Sequence, residues 1–301
     1  MGTRQNLSLY RIKKLKVVLL LTSAYLAVQL IASLFTGSLA LIADAGHMLT
    51  DVGGLALALF AINYTRKPPT PQRTYGFYRI EILSSLANSV VLVLISIYIL
   101  YEAYQRILEP PVIQSFPMLI VATLGLAVNL IGMLLLKGHS HDSHHNEREE
   151  ESLNIKGAYL EVFSDALGSA GVVAAAVIML ATRFYMVDPL ISIGLALFIL
   201  PRTWSLMKKS IHILMEGVPA NISHEDVKNA ILQIKGVTGV FELHIWTITS
   251  GMNALSAHVV VIDPSKSQAI LKDINSSLEK KFRISHATIQ IENYHSESGA
   301  F

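Results

Sequence analysis

The stretch Leu39–Asp51, LALIADAGHMLTD, sets three ionisable side chains into a run that is otherwise apolar and stays so to Phe60. Asp44, His47 and Asp51 follow one another at intervals of three and four residues, the spacing that stacks side chains along one face of a helix. In the middle of a membrane helix an Asp costs about 2.5–3.5 kcal/mol on insertion scales, so such a group is a functional residue by default. Gly157–Ser169, GAYLEVFSDALGS, repeats the device with Glu161 and Asp165 four apart. If the two helices face each other, His47, Asp51, Glu161 and Asp165 converge as nitrogen and oxygen donors. Four such donors suit a tetrahedral divalent cation such as zinc, held at about 2.0–2.2 Å. Gly46, Gly53, Gly54, Gly168, Ser169 and Gly171 would let the backbones approach closely.

The rest of the chain supplies the membrane frame these segments need. Only 15% of its 301 residues are charged, against about a quarter in soluble domains, and the mean hydropathy is +0.47. Six apolar segments are each long enough to cross about 30 Å of hydrocarbon: 15–36, 39–64, 80–106, 115–136, 155–182 and 187–207. The basic start of the chain resembles a secretory leader, but Val17–Phe35 is longer than the roughly 7–15 residues of a leader's apolar core. It reads as the first span. Lys and Arg are held on the cytoplasmic side. They cluster before the first span (Arg4, Arg11, Lys13, Lys14, Lys16), between the second and third (Arg66, Lys67, Arg73, Arg79), between the fourth and fifth (Lys137, Arg148, Lys156) and after the sixth (Lys208, Lys209). Both termini are therefore expected in the cytoplasm. A net charge of +2 gives no reason to expect nucleic acid, and the absence of cysteine leaves no thiolate ligand or thiol nucleophile.

The expected fold is an α-helical polytopic membrane domain with six transmembrane helices over residues 1–208, followed by a cytoplasmic α+β domain over 209–301. Ser223 and Asp226 form a capping signal ahead of an amphipathic helix whose Val227, Ile231 and Ile234 share a face. Leu243–Ile248 and Ser256–Ile262 read as strands joined by a turn at Ser250-Gly251. Ile270, Ile274 and Leu278 mark a second helix, and Thr288–Glu292 a last strand. The order αββαβ leaves one sheet face uncovered, available for pairing with a second copy. Trp246 is expected in the core of this domain. Asn88 and Asn129 are expected to bond across helices. The cytoplasmic loop 137–154 carries His139, His141, His144 and His145, a tract able to collect metal loosely.

Three carboxylates and one imidazole, with no basic residue in 39–64 or 157–182, repel one another unless something neutralises them. A metal cation does so, and so do protons. Because ligands must be deprotonated to bind metal, filling the site releases protons, and alternating exposure of one site to the two sides then exchanges metal for protons. A membrane metallohydrolase would use similar ligands, but no H-E-x-x-H signature or adjacent base accompanies them; substrate turnover would reveal one. A membrane-anchored metal sensor would bind without flux and has no use for ligand pairs at midspan.

Four stretches resemble the cation diffusion facilitators: SLALIADAGHMLTD (Ser38–Asp51), RTYGFYRIEIL (Arg73–Leu83), GAYLEVFSDALGS (Gly157–Ser169) and LHIWTITSG (Leu243–Gly251). The resemblance runs over nearly the whole chain and leans toward the bacterial cobalt, zinc and cadmium resistance type, which places the protein in a cell inner membrane. It implies a homodimer, six membrane helices, a cytoplasmic domain of metallochaperone-like fold, and metal efflux driven by proton entry, with zinc the first expected ion and cobalt and cadmium beside it. It also implies a transport site at His47, Asp51, Glu161 and Asp165. Many zinc members carry His where Glu161 stands. Carboxylate in place of imidazole hardens the ligand set and would admit manganese or iron(II). His244, His258, His286 and Glu292 resemble family positions that bind regulatory zinc.

Overall fold

The computed structural model of the chain describes residues 2–64, 70–137, 148–249 and 251–293, with side chains for 19–50, 52–54, 56, 70–131, 165–249 and 251–293. Six long helices come first: α1 (Gly2–Thr36), α2 (Leu39–Tyr64), α3 (Arg79–Leu108), α4 (Ser115–Lys137), α5 (Arg148–Thr182) and α6 (Val187–Leu214). The helices α1 and α5 begin well before the apolar runs that signalled them, because helical propensity continues through the polar residues flanking a span. Among the described residues, Leu19–Thr36, Arg79–Leu108, Asp165–Thr182 and Val187–Leu214 are long and apolar enough to cross a bilayer, and Ser115–Ile131 of α4 is a shorter apolar stretch. Large apolar side chains such as Leu34, Leu94 and Phe198 stand exposed on these helices. That is the surface of a multi-pass membrane protein, whose solvent on those faces is lipid.

The chain divides into two compact units, Met1–Phe60 with Ala87–Ser205, and Ala61–Leu86 with Leu206–Phe301. In the first, α2 is enclosed from several directions. Leu41 and Ala40 pack among Ile113, Met118 and Ala122 of α4 and Val172, Ala175 and Met179 of α5. Leu39 and Ala43 meet Ile99 and Ala103 of α3 and Ala196 of α6. Ala45 and Met48 meet Tyr25 and Leu26 of α1. Small residues make this crowding possible. A Cβ on Gly46 would lie 3.0 Å from Ile95, and one on Gly125 of α4 only 2.1 Å from the Tyr25 hydroxyl, which donates to the Val121 carbonyl at 3.0 Å.

The first turn of α2 is held by a carboxylate from another helix. Asp188, fully buried at the start of α6, accepts from Ser38 Oγ at 2.6 Å and from the backbone N–H groups of Leu39 and Ala40 at 2.8 and 3.2 Å. Those amides are among the ones a helix start leaves unpaired. Arg106 of α3 stands 3.7 Å from Asp188, donates to Glu102 at 3.0 Å, and donates to the carbonyl of Gly37, whose φ of +71° turns the chain from α1 into α2. One buried acid thus joins α2, α3 and α6.

In the second unit a three-stranded sheet runs in the order β1 (Val237–Thr249), β2 (Met252–Val261), β3 (Ile284–Glu292), with β1–β2 antiparallel and β2–β3 parallel. The helices α7 (His224–Leu232) and α8 (Ser267–Phe282) cover one face, where Val227, Ile231, Ile245, Leu255, Val259, Ile274 and Leu278 form the core. Ser223 caps α7 by accepting from the Asp226 N–H at 3.3 Å. Asp263 caps a short 3₁₀ turn, and the Ser265 hydroxyl and amide on its carboxylate hold it below the usual carboxylate range. Trp246 is not in the core, contrary to expectation. Strand alternation points Leu243 and Ile245 toward the helices and leaves Trp246, with His244, on the open face. The end of β1 reaches the start of α3, where Thr249 donates to Glu81, and Arg79 pairs with Glu216 at 2.7 Å.

Replacing Asp188 with Ala strips buried donors of their acceptor and should cost about 2–5 kcal/mol. Asp188→Asn keeps the shape and one acceptor and should cost less. Thermal unfolding in detergent measures both; an unchanged midpoint for Asp188→Ala would mean the cap does not hold α2.

Candidate metal site

The sequence placed four ligands on two helices on the condition that α2 and α5 face each other, and they do. His47 Nε2 lies 2.5 Å from Asp165 Oδ1, with side-chain exposures of 18% and 12%. Leu41 packs against the 172–179 region of α5 while His47 meets Asp165, so the helices run antiparallel. Four residues onward in α2 and four back in α5 therefore move in the same direction. That is where the helical positions of Asp51 and Glu161 fall; their side chains lie outside the described residues. Among the described residues no group of three or more His, Asp or Glu is arranged around a metal position. Only two of the four expected donors belong to that set, and these two satisfy each other.

Behind this pair lies a polar layer that the sequence reading did not assemble. Asp44, 6% exposed, accepts from Gln29 Nε2 of α1 at 2.6 Å and is also hydrogen-bonded to the Ser169 hydroxyl of α5. Asn129 of α4 donates to Ser169 Oγ at 3.0 Å, the cross-helix bond expected of it. Gln29 was overlooked, although a lone amide in the apolar run of α1 is the kind of signal that marks interhelical bonding. Asp188 and Arg106 were also absent from the expected network. They sit at segment ends, where charge carries no hydropathy penalty and so draws no attention.

In the second unit the structure unites two of the four expected residues. His258 Nδ1 lies 2.7 Å from Glu292 Oε1, which also accepts from Gln290 Nε2 at 3.0 Å. The other ring nitrogen faces Glu242 Oε2 at 3.5 Å. Glu242 was not anticipated; it takes a positive φ of 46° at an irregularity in β1, between Phe241 and His244, where the pairing register shifts. The imidazole bridges two carboxylates on opposite edges of its ring, a geometry in which the three groups do not aim at one ion. His244 and His286 are exposed and lie opposite Ser256 and Ala254, further along the open face. His139, His141, His144 and His145 lie outside the described residues.

Comparison with known proteins covers both units. Residues 15–215 match the cation efflux transmembrane domain, and residues 219–294 the cation efflux protein cytoplasmic domain. The chain is 44% identical over 283 residues to the metal cation efflux system protein CzcD of Cupriavidus metallidurans, covering 93% of this chain and 86% of that one. It is 42% identical over 284 residues to a protein of Bacillus subtilis named cadmium, cobalt and zinc/H(+)-K(+) antiporter, covering 93% and 88%. It is 36% identical over 272 residues to the zinc transporter ZitB of Escherichia coli, covering 90% and 84%. A solved metal-bound C-terminal domain of the C. metallidurans CzcD transporter is 37% identical and covers 24% of this chain and 99% of that one, at a TM-score of 0.22.

The His47–Asp165 contact leads to a simple binding expectation. At a hundredfold excess over its dissociation constant a ligand stabilises the folded state by about 2.7 kcal/mol, so zinc should raise the melting midpoint of the solubilised full chain. Asp165→Asn should abolish that rise; an equal rise in the variant would remove Asp165 from the site.

Proposed function

The chain belongs to the cation efflux family, and on that premise we propose that it moves divalent metal ions, zinc first, out of the cytoplasm in exchange for protons. Members of this family are transporters and not enzymes, and the relatives named above are all named for moving metal cations. The observation that carries the reading here is the apposition of His47 on α2 with Asp165 on α5. A contact between an imidazole and a carboxylate inside a membrane domain joins two helices on which two further acids, Asp51 and Glu161, stand one turn along. We propose these four as the transport ligands.

Zinc is preferred because relatives over nearly the whole chain are named for zinc, with cadmium and cobalt beside it in one case. Glu161 supplies oxygen in place of a second imidazole, which favours harder ions on ligand preference alone. The proton enters because the same donors must shed protons to take metal. Opened to the cytoplasm, the site binds metal and gives up protons; opened to the other side, it does the reverse. No bound ion need leave against its gradient without a proton moving down its own.

The membrane arrangement proposed is six spans in a bacterial inner membrane, with both termini cytoplasmic, as the clustering of Lys and Arg supports. The functional unit is a homodimer in which the open sheet faces of the second unit meet or lie near each other. His258 and Glu292, now with Glu242, form the first place to look for a regulatory ion there. The loop histidines would raise the local metal concentration without being required for transport.

Uptake into proteoliposomes under an imposed pH gradient tests the reading. Zinc, cobalt and cadmium should accumulate in exchange for protons in the parent protein. Glu161→His should shift preference toward zinc over manganese and iron(II). Binding without flux would identify a sensor, and flux indifferent to the pH gradient would remove the proton from the cycle.

A further inference from the structure

Asp44 is the one buried ionisable group in α2 that the four-ligand site leaves unused. It precedes His47 by three residues, a rise of about 4.5 Å along the helix, and its carboxylate is turned into the layer formed by α1 and α5. Its partners there are unusual in having both senses of hydrogen bond available. Ser169 Oγ accepts from Asn129, so its own O–H remains to donate to Asp44. Gln29 Nε2 donates to Asp44 Oδ2 at 2.6 Å, while the other end of the same amide, Oε1, is buried with no hydrogen-bond partner among the described residues. Gln29 itself is fully buried.

An unpaired buried amide oxygen costs about 1–3 kcal/mol, and it sits on the residue that contacts the spare carboxylate. The two ends of a glutamine amide are nearly the same size. As drawn, the N–H end serves an ionised carboxylate. Turned end for end, Oε1 would accept from a carboxyl that carries a proton. One end of the amide is left over in either arrangement, so the orphan does not favour one state, and the layer accommodates both. Among the described residues, the titratable groups around Asp44 are His47 on its own helix, Asp165 from α5 and Tyr25 from α1. None is a fixed cation that would hold it permanently as a carboxylate.

We propose that Asp44 is a proton-carrying residue of the exchange, loaded and unloaded apart from the metal ligands, with the Gln29 amide as its reversible partner. The step is a protonation with no redox component: a proton from the side opposite the cytoplasm binds the carboxylate oxygen, the amide turns, and the proton leaves to the cytoplasm as the site reloads with metal. The inference rests on the proton-exchange reading above and assigns one of its protons to a residue.

Asp44→Asn imitates the protonated carboxyl, since its new N–H can donate to Gln29 Oε1. In proteoliposomes of the full chain, zinc–zinc exchange at equal pH should stay within about twofold of the parent. Zinc accumulation driven by a pH gradient should fall by about tenfold or more, the size of an ordinary coupling between two ligands. Gln29→Met removes the donor but leaves the carboxylate, so both activities should persist, with the pH profile of the driven reaction displaced toward higher pH by about one unit. Driven accumulation in Asp44→Asn with the parent's pH profile would overturn the proposal. So would loss of zinc–zinc exchange together with driven transport, which would make Asp44 a ligand or a support. An unmoved profile in Gln29→Met would overturn the role given to the amide. If the parent itself shows zinc–zinc exchange but no driven accumulation, the proton-exchange reading fails first, and that result is distinct from any of these.

Discussion

Charge inside hydrocarbon has to be answered by an opposite charge or by hydrogen-bond donors, and in this protein the answers are distributed around one helix. Two ionisable groups of α2 have their counterparts on other helices: Asp165 of α5 for His47, and Gln29 of α1 with Ser169 of α5 for Asp44. The helix start itself is answered by Asp188 of α6. These requirements dictate the neighbours of α2 as firmly as packing does. The apolar contacts follow the same arrangement, with alanine and glycine at the crossings so that five other helices can approach one.

The same arrangement separates tasks along the helix. At its first turn a buried carboxylate fastens α2 to α3 and α6. Further along, a buried carboxylate, Asp44, accepts from Gln29 and is hydrogen-bonded to Ser169. Beyond that comes the imidazole that meets α5. A metal transporter needs a fixed reference and a polar site for its ion, and on the proposed reading α2 holds both within a few turns. The antiparallel run of α5 keeps Glu161 on the same side of the His47–Asp165 contact as Asp51, so that a single ion could be reached from both helices.

Much of this was legible in the residues. The spacing of His47 and Asp51 and of Glu161 and Asp165 requires a meeting of α2 and α5, because a helix turns about once in every 3.6 residues and lone acids in lipid are costly. The αββαβ order was readable from alternation and from the cap at Ser223. What spacing could not give was pairing across long separations. Ser38 and Asp188 are 150 residues apart, and no local periodicity links them. Gln29 carries no charge and perturbs the hydropathy of α1 little, so only the fold reveals that it faces Asp44. Trp246 was misplaced for a related reason: size argues for burial, while strand parity, fixed by Leu243 and Ile245, argues otherwise, and parity wins. Glu242 joins His258 only because β1 is irregular there, a feature that alternation cannot anticipate.

The central claim is that one metal ion is held between α2 and α5 by His47, Asp51, Glu161 and Asp165. Diffraction at the zinc absorption edge from crystals of the zinc-loaded full chain tests it most directly. The account predicts an anomalous peak between the two helices, with one imidazole nitrogen and three carboxylate oxygens at about 2.0–2.2 Å. Zinc density confined to the histidines of the loop or of the second unit, with the interval between His47 and Asp165 empty in a preparation that transports zinc, would contradict it.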